Sequence, residues 1–198
     1  MAVLEYLTPE ALEKCHGTLS RASLIVVDAN LSDASLSWLF SRYSDTPIFA
    51  DTVSAAKCVR LKPHLAKIDT LKPNLTEAAM LAGVPPEKSG DLPALSQKLH
   101  TLGVRHLVIS LGKDGVWSSI NGEGVHIPAM DGNGANVTGC GDALMSAMVH
   151  SRLKNWSREK SLRFGVAASS LAREADTAVN PLLSESSVFE CLKEACHE

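Results

Sequence analysis

No surplus of basic charge marks this sequence. Its 19 Lys and Arg stand against 22 Asp and Glu, leaving a net charge of −3, with no basic block and no interleaving of basic with aromatic side chains. A nucleic-acid partner is therefore not expected. No apolar run approaches the roughly 20 residues that a bilayer-crossing helix needs, so no membrane partner is expected either. The five cysteines, Cys15, Cys58, Cys140, Cys191 and Cys196, are odd in number and form no CxxC pair. That pattern argues against a disulfide framework and a structural zinc site and fits a reducing compartment. The histidines are scattered without metal-ligand spacing. The amino-terminal stretch MAVLEYLTPEAL lacks the charged, apolar and small-residue blocks of a secretory signal, and the expectation is a cytoplasmic protein.

What is present is enough apolar material for one sizeable core. The chain has 198 residues, 45% of them hydrophobic, which sets a prior of one domain. Strand and helix signals take turns. Residues 8–19 predict a helix capped by Thr8 with Pro9 in its first turn, and SLIVVDAN at 23–30 is an apolar run that predicts a buried strand. SDASLSWLFSRY then reads as helix and PIFADT as strand; after a polar passage, KIDTLKPN reads as strand, NLTEAAMLAG and LPALSQKLHTLG as helices, and HLVISLG as strand. Such alternation implies an α/β fold with a mostly parallel central sheet flanked by helices. GVWSSI and GVHIPA around NGEG predict an edge hairpin. Three helices close the chain, beginning at DALMSAMVHSRL, SREKSLRFGVAASSLAREA and SESSVFECLKEACHE.

In an open parallel sheet, ligands bind outside the carboxyl ends of the strands. Asp28 with Asn30, Asp51, Asn74, and Ser110 with Gly112 end successive predicted strands, which assigns them to one rim. Each also has a local explanation. Asn74 can cap the helix LTEAAM with Glu77 in its first turn. Asp28 and Asp51 can be turn formers. Gly112 and Gly115 around Lys113-Asp114 can simply shape the entry to the hairpin.

NVTGCGDALMSAMVH at 136–150 carries the strongest signal. Backbone N–H groups at Gly139, Cys140 and Gly141 can line an anion-binding concavity at the start of a helix, with Asp142 where that anion would react. The stretch is neither a GxxxxGK[ST] phosphate loop nor a GxGxxG dinucleotide fingerprint.

TGCGDA at 138–143 closely resembles the signature of the PfkB, or ribokinase-like, carbohydrate kinases, a pattern written D-T-x-G-A-G-D. LKPNLTE at 71–77 resembles their N-x-x-E motif, and VISLGKDGVW at 108–117 resembles their nucleotide-binding strand and turn. Within the family, FADTVSAAKC, TLKPN and NVTG are most similar to the pseudouridine kinases, in which Asn, here Asn136, opens the glycine signature. The resemblance covers the carboxyl-terminal two-thirds of a typical member. It implies that residues 1–198 form a kinase domain without the amino-terminal region, which carries a Gly-Gly motif, much of the sugar pocket and a β-sheet lid.

The implied reaction is transfer of the γ-phosphoryl group of ATP to a sugar or nucleoside hydroxyl, here that of pseudouridine, with Mg²⁺ and room for a monovalent cation such as K⁺. By resemblance, Asp142 accepts the hydroxyl proton, while the N–H groups of Gly139, Cys140 and Gly141 hold the charge of the transferring group. Cys140 replaces the usual alanine and leaves the backbone donor in place. Asn74 and Glu77 organise Mg²⁺. Ser110, Gly112, Gly115 and Thr138 border the nucleotide, and Ala167, Ala168 and Asn180 fall where the family packs its adenine pocket. Lys57 is a candidate phosphate contact, and Thr52 stands where the family often has proline. The resemblance further implies a homodimer through the lid of the full-length protein and poor phosphorylation by these 198 residues alone. The competing expectation is a catalytically silent nucleotide-binding or partner-binding remnant.

Overall fold

The computed structural model describes residues 2–85, 88–130 and 137–195. After a 3-10 turn at Ala2–Tyr6, Thr8 caps the first helix by accepting from the Ala11 N–H, with Pro9 at the first helical position. The helix expected over 8–19 breaks in two, α1 (Pro9–Lys14) and α2 (His16–Leu19), because Cys15 leaves helical geometry at φ −93°, ψ 3°.

Strands β1 (Ile25–Asp28), β2 (Ile48–Asp51), β3 (Thr70–Lys72), β4 (His106–Ser110), β5 (Val116–Ile120) and β6 (Glu123–Ile127) lie in that order in one six-stranded sheet. The pairs β1/β2, β2/β3 and β3/β4 are parallel, so the sheet is mostly parallel and flanked by helices, as expected. Asn121 (φ 52°) and Gly122 (φ 86°) form the two-residue turn between β5 and β6, a geometry that the Asn-Gly pair favours.

The polar passage expected after β2 is in fact helical: α4 (Ala55–Cys58) runs into a 3-10 stretch at Val59–Lys67. Pro63 and the cations around it hide the signal, but Leu61, His64 and Leu65 are buried along one side. The remaining helices are α3 (Asp33–Arg42), α5 (Leu75–Ala82), α6 (Leu92–Thr101), α7 (Cys140–Leu153), α8 (Arg158–Arg173) and α9 (Glu185–Glu194). Among the described residues, no helix is long and apolar enough to cross a membrane.

The chain forms two compact units, Met1–Ile109 with Ser118–Gly124, and Ser110–Trp117 with Val125–Glu198. Phe40, Ile48, Leu61, Leu71, Leu99 and Leu107 are among the side chains sealed in the first unit. Burying each such side chain contributes about 1.5 to 3 kcal/mol. In the second unit α7 and α8 meet through small residues. Ala143, Ala147, Ala167, Ala168 and Ala172 share a cluster with Phe164 and Val188, and a Cβ on Gly165 would lie 2.6 Å from Leu144 Cδ1. Small residues are thus what the close approach of these helices requires.

Candidate active site

In the first unit, the carboxyl ends of three parallel strands align. Asp28 pairs in register with Asp51, and Asp51 with Lys72. Asp28 is a turn former: one carboxylate oxygen accepts from the Asn30 backbone N–H at 2.9 Å and the other from Asn30 Nδ2 at 2.8 Å. Asn30 Oδ1 in turn accepts from Lys57 Nζ, which places Lys57 over this turn. Asp51 does two jobs. Its Oδ2 pairs with buried Lys72 Nζ at 2.8 Å, and its Oδ1 accepts from the Val53 N–H at 3.0 Å. Val53 sits at φ 63°, a left-handed conformation that a β-branched residue rarely adopts.

Asn74 and Glu77 form a complete capping box at the start of α5. Asn74 Oδ1 accepts from the Glu77 N–H at 2.9 Å, and Glu77 Oε2 accepts from the Asn74 N–H at 2.9 Å. Asn74 is exposed and Glu77 is 6% exposed. The hydroxyl of fully buried Thr52 also donates to Glu77 Oε2. Glu77 Oε1 makes no hydrogen bond among the described residues. The Thr52 contact was not anticipated from sequence, where Thr52 stood out only as a departure from proline.

In the second unit, Ser110 ends β4 and leads into the short 3-10 turn Gly112–Asp114. The Leu111 N–H returns to the Gly115 carbonyl at 2.8 Å, and His126 Nε2 donates to the Asp114 carbonyl at 2.6 Å. Gly115 is at φ 91°, and a Cβ there would lie 2.5 Å from the Ala129 nitrogen, so only glycine fits this hairpin entry. Gly112 is different: at φ 63° it faces open space, which leaves its backbone accessible.

The glycine loop opens α7. Gly139 is its N-cap residue at φ 86°, ψ −13° and brings no side chain to the helix start. Thr138 and Asp142 are exposed, Asp142 standing in the first turn, and Cys140 and Gly141 are half-buried between them. Asn136, which opens the signature, lies outside the described residues. Burial raises the Cys140 thiol pKa, with nearby Arg173 opposing, so this cysteine favours the neutral form. The Cys140 carbonyl accepts from Ser169 Oγ at 2.9 Å, tying the loop to α8. Ala167 and Ala168 are packed inside the α7/α8 cluster. Asn180 bridges the segment after α8, donating from Nδ2 to the Leu171 carbonyl at 2.7 Å and accepting from the Leu182 N–H at 2.9 Å.

The sequence profile of the pfkB family carbohydrate kinases matches residues 10–185. The chain belongs to that family. It is 35% identical over 196 residues to the pseudouridine kinase of Escherichia coli K12, a match that covers 98% of this chain and 63% of that protein. Among solved structures it resembles Arabidopsis thaliana ribokinase complexed with ribose and ATP, with 26% identity and a TM-score of 0.78 over 88% of this chain and 57% of that one. It also resembles a carbohydrate kinase from Agrobacterium tumefaciens, with 28% identity and a TM-score of 0.77 over 95% and 60%. The chain thus spans about three-fifths of the relatives it matches.

The first unit's donors suit Mg²⁺. Among the described residues no three His, Cys, Asp or Glu side chains gather as a metal cage. Magnesium requires none, because it commonly keeps several waters and binds one or two carboxylates together with substrate phosphates. A carboxylate with one oxygen restrained and the other without a hydrogen bond among the described residues fits that chemistry.

Proposed function

We propose that this chain carries the base and nucleotide-phosphate machinery of an ATP-dependent phosphotransferase acting on a sugar or nucleoside hydroxyl, with pseudouridine as the acceptor and pseudouridine 5′-phosphate as the product. The observation that carries the reading is the start of α7. A glycine held in the left-handed conformation opens a 14-residue helix, and an exposed aspartate stands in its first turn. The similarity to a pseudouridine kinase over nearly the whole chain supports the choice of acceptor.

In this reading the acceptor hydroxyl oxygen attacks the γ-phosphorus, the bond to the ADP leaving oxygen breaks, and Asp142 takes the hydroxyl proton. The backbone N–H groups of Gly139, Cys140 and Gly141 stabilise the charge on the transferring group. Losing one such donor typically costs about 3 to 4 kcal/mol. The positive end of the α7 dipole adds to them. Gly112 presents open backbone to the nucleotide. Glu77 and Asn74 would hold Mg²⁺ with its waters, and the ion would supply positive charge against the phosphates.

The test is to incubate the protein with ATP and Mg²⁺ and compare pseudouridine, uridine and ribose as acceptors, with nucleotide affinity measured separately. Transfer to pseudouridine in preference to the others supports the reading. Preferential transfer to ribose would overturn the choice of acceptor, and absence of ATP binding would overturn the kinase assignment. Binding without transfer to any acceptor, also in a version joined to the amino-terminal region that the longer relatives carry, would instead support a silent nucleotide-binding role.

A further inference from the structure

We infer that Thr52 is a positioning residue that fixes which oxygen of Glu77 faces the metal, an inference that rests on the magnesium role proposed above. Glu77 Oε2 accepts two hydrogen bonds, from the Asn74 backbone N–H at 2.9 Å and from the Thr52 hydroxyl, while Oε1 accepts none among the described residues. Two donors on one oxygen fix the carboxylate's rotation about its last bond and leave the other oxygen to bind. The Asn74 bond alone leaves the plane of the carboxylate free to turn. Thr52, arriving from a different element, supplies the second restraint.

The hydroxyl is itself held from several sides. Thr52 is fully buried, its Oγ1 lies 3.3 Å from the Lys72 carbonyl, and its own carbonyl accepts from the Ser54 N–H at 2.7 Å. Its neighbours are pinned as well: Asp51 by the 2.8 Å pair with Lys72, and Val53 by the Asp51 carboxylate in a left-handed conformation. Strained backbone beside a candidate site is maintained only where surrounding contacts over-determine it. Here the turn at 51–54 holds one hydroxyl against one carboxylate oxygen.

The experiment compares Thr52→Val, which keeps the shape and removes the donor, with Thr52→Ser, which keeps the donor. Mn²⁺ serves as the probe, its uptake by the protein in the presence of a non-hydrolysable ATP analogue being followed by water-proton relaxation. Outer partners of metal ligands typically change affinity by about 10- to 100-fold, so Thr52→Val should weaken Mn²⁺ uptake about tenfold, with Thr52→Ser close to the parent. Analogue binding without metal should stay unchanged in both. If Thr52→Val does not fold, Thr52→Ala replaces it in the same comparison. Equal Mn²⁺ uptake in parent and donor-less variant would overturn the role of Thr52 alone, as would a serine variant as weak as the valine one. No Mn²⁺ uptake by the parent would overturn the metal role of Glu77 and the inference with it.

Discussion

Gly139 and the peptide of Ala178 occupy adjoining space so closely that no side chain can stand between them. A Cβ on Gly139 would lie 2.9 Å from the Ala178 carbonyl carbon and nearer still to its oxygen. The glycine is therefore demanded twice, by its positive φ and by this neighbour. The start of α7 and the segment after α8 are thereby held against one another, and the place of the first-turn amides depends on that contact.

Gly139→Ala should consequently be among the most damaging small substitutions in the chain. The left-handed conformation alone costs roughly 1 to 2 kcal/mol for an alanine, and relieving the collision requires the loop or the Ala178 segment to move. Thermal unfolding should report a drop of at least several degrees, and nucleotide affinity should fall with it. A variant as stable as the parent, with unchanged affinity, would show that the two segments yield easily.

Val53→Gly should act in the opposite direction. Val53 has φ 63° and is 39% exposed, so it has strain to relieve and little packing to lose. Relief of roughly 1 to 2 kcal/mol is offset by about 0.5 to 1 kcal/mol of added backbone freedom in the unfolded chain. A net rise in Tm of a few degrees is expected, at about 2 to 4 °C per kcal/mol for a chain of this size.

Stability should also weaken in mild acid because of His64. Its imidazole stacks on Phe40 with ring centres 4.7 Å apart, and burial, reinforced by Lys67 and opposed by Asp33, lowers its pKa. The folded state therefore resists the proton that the unfolded state accepts near pH 6.5. The contribution is fully present above that pH and is lost as pH falls through the window between the unfolded and folded values. Tm measured from pH 7 to 5 should fall less steeply in His64→Phe, which keeps the stack and removes the titration. Parallel slopes in the two proteins would show that other groups dominate.

Much of the first unit was legible in the sequence because its signals are local. Asn74 and Glu77 stand three residues apart, so the capping box could be read directly, and the apolar runs of β2 to β4 announced strands buried on both faces, whereas the run of β1, expected to be buried too, ends the sheet and leaves Val26 49% exposed. The Thr52–Glu77 bond spans 25 positions, and nothing at either end reveals it. Val53 carries no sign of its left-handed backbone, since valine is the wrong residue for it by propensity; its conformation comes from Asp51, which the register places beside Lys72. The helical stretch after β2 was obscured by Pro63. At the glycine signature the residue types were readable, whereas the reason for Gly139 lies 39 positions away at Ala178.

Cys140 should be slow to alkylate compared with exposed Cys15. Burial disfavours its thiolate, which is the reactive form, and the side chain is half-buried at the start of α7. Iodoacetamide labelling at neutral pH, read by peptide mass, should modify Cys15 first. Cys140→Ala should leave nucleotide affinity near that of the parent, because the proposed contact belongs to the backbone.

Asp142 provides the sharpest test of the chemistry, because its two possible roles predict different losses. As an acid in the first turn of α7 it would contribute only a favourable interaction with the helix dipole, about 0.3 to 1 kcal/mol, and its removal would appear in Tm and leave turnover nearly intact. As the general base it would carry about 10² to 10⁴-fold in rate. Asp142→Asn keeps the size and removes the proton acceptor. Its exposed position, with the phosphate contacts proposed for the Gly139–Gly141 backbone and not for this carboxylate, should leave nucleotide affinity little changed in either case. The expected result, measured in a version joined to the amino-terminal region that the longer relatives carry, is therefore a collapse of kcat on pseudouridine, ATP affinity within a few-fold of the parent, and a small change in Tm. Near-normal turnover with a lowered Tm would reduce Asp142 to a helix-start acid and remove the central residue of the proposed reaction.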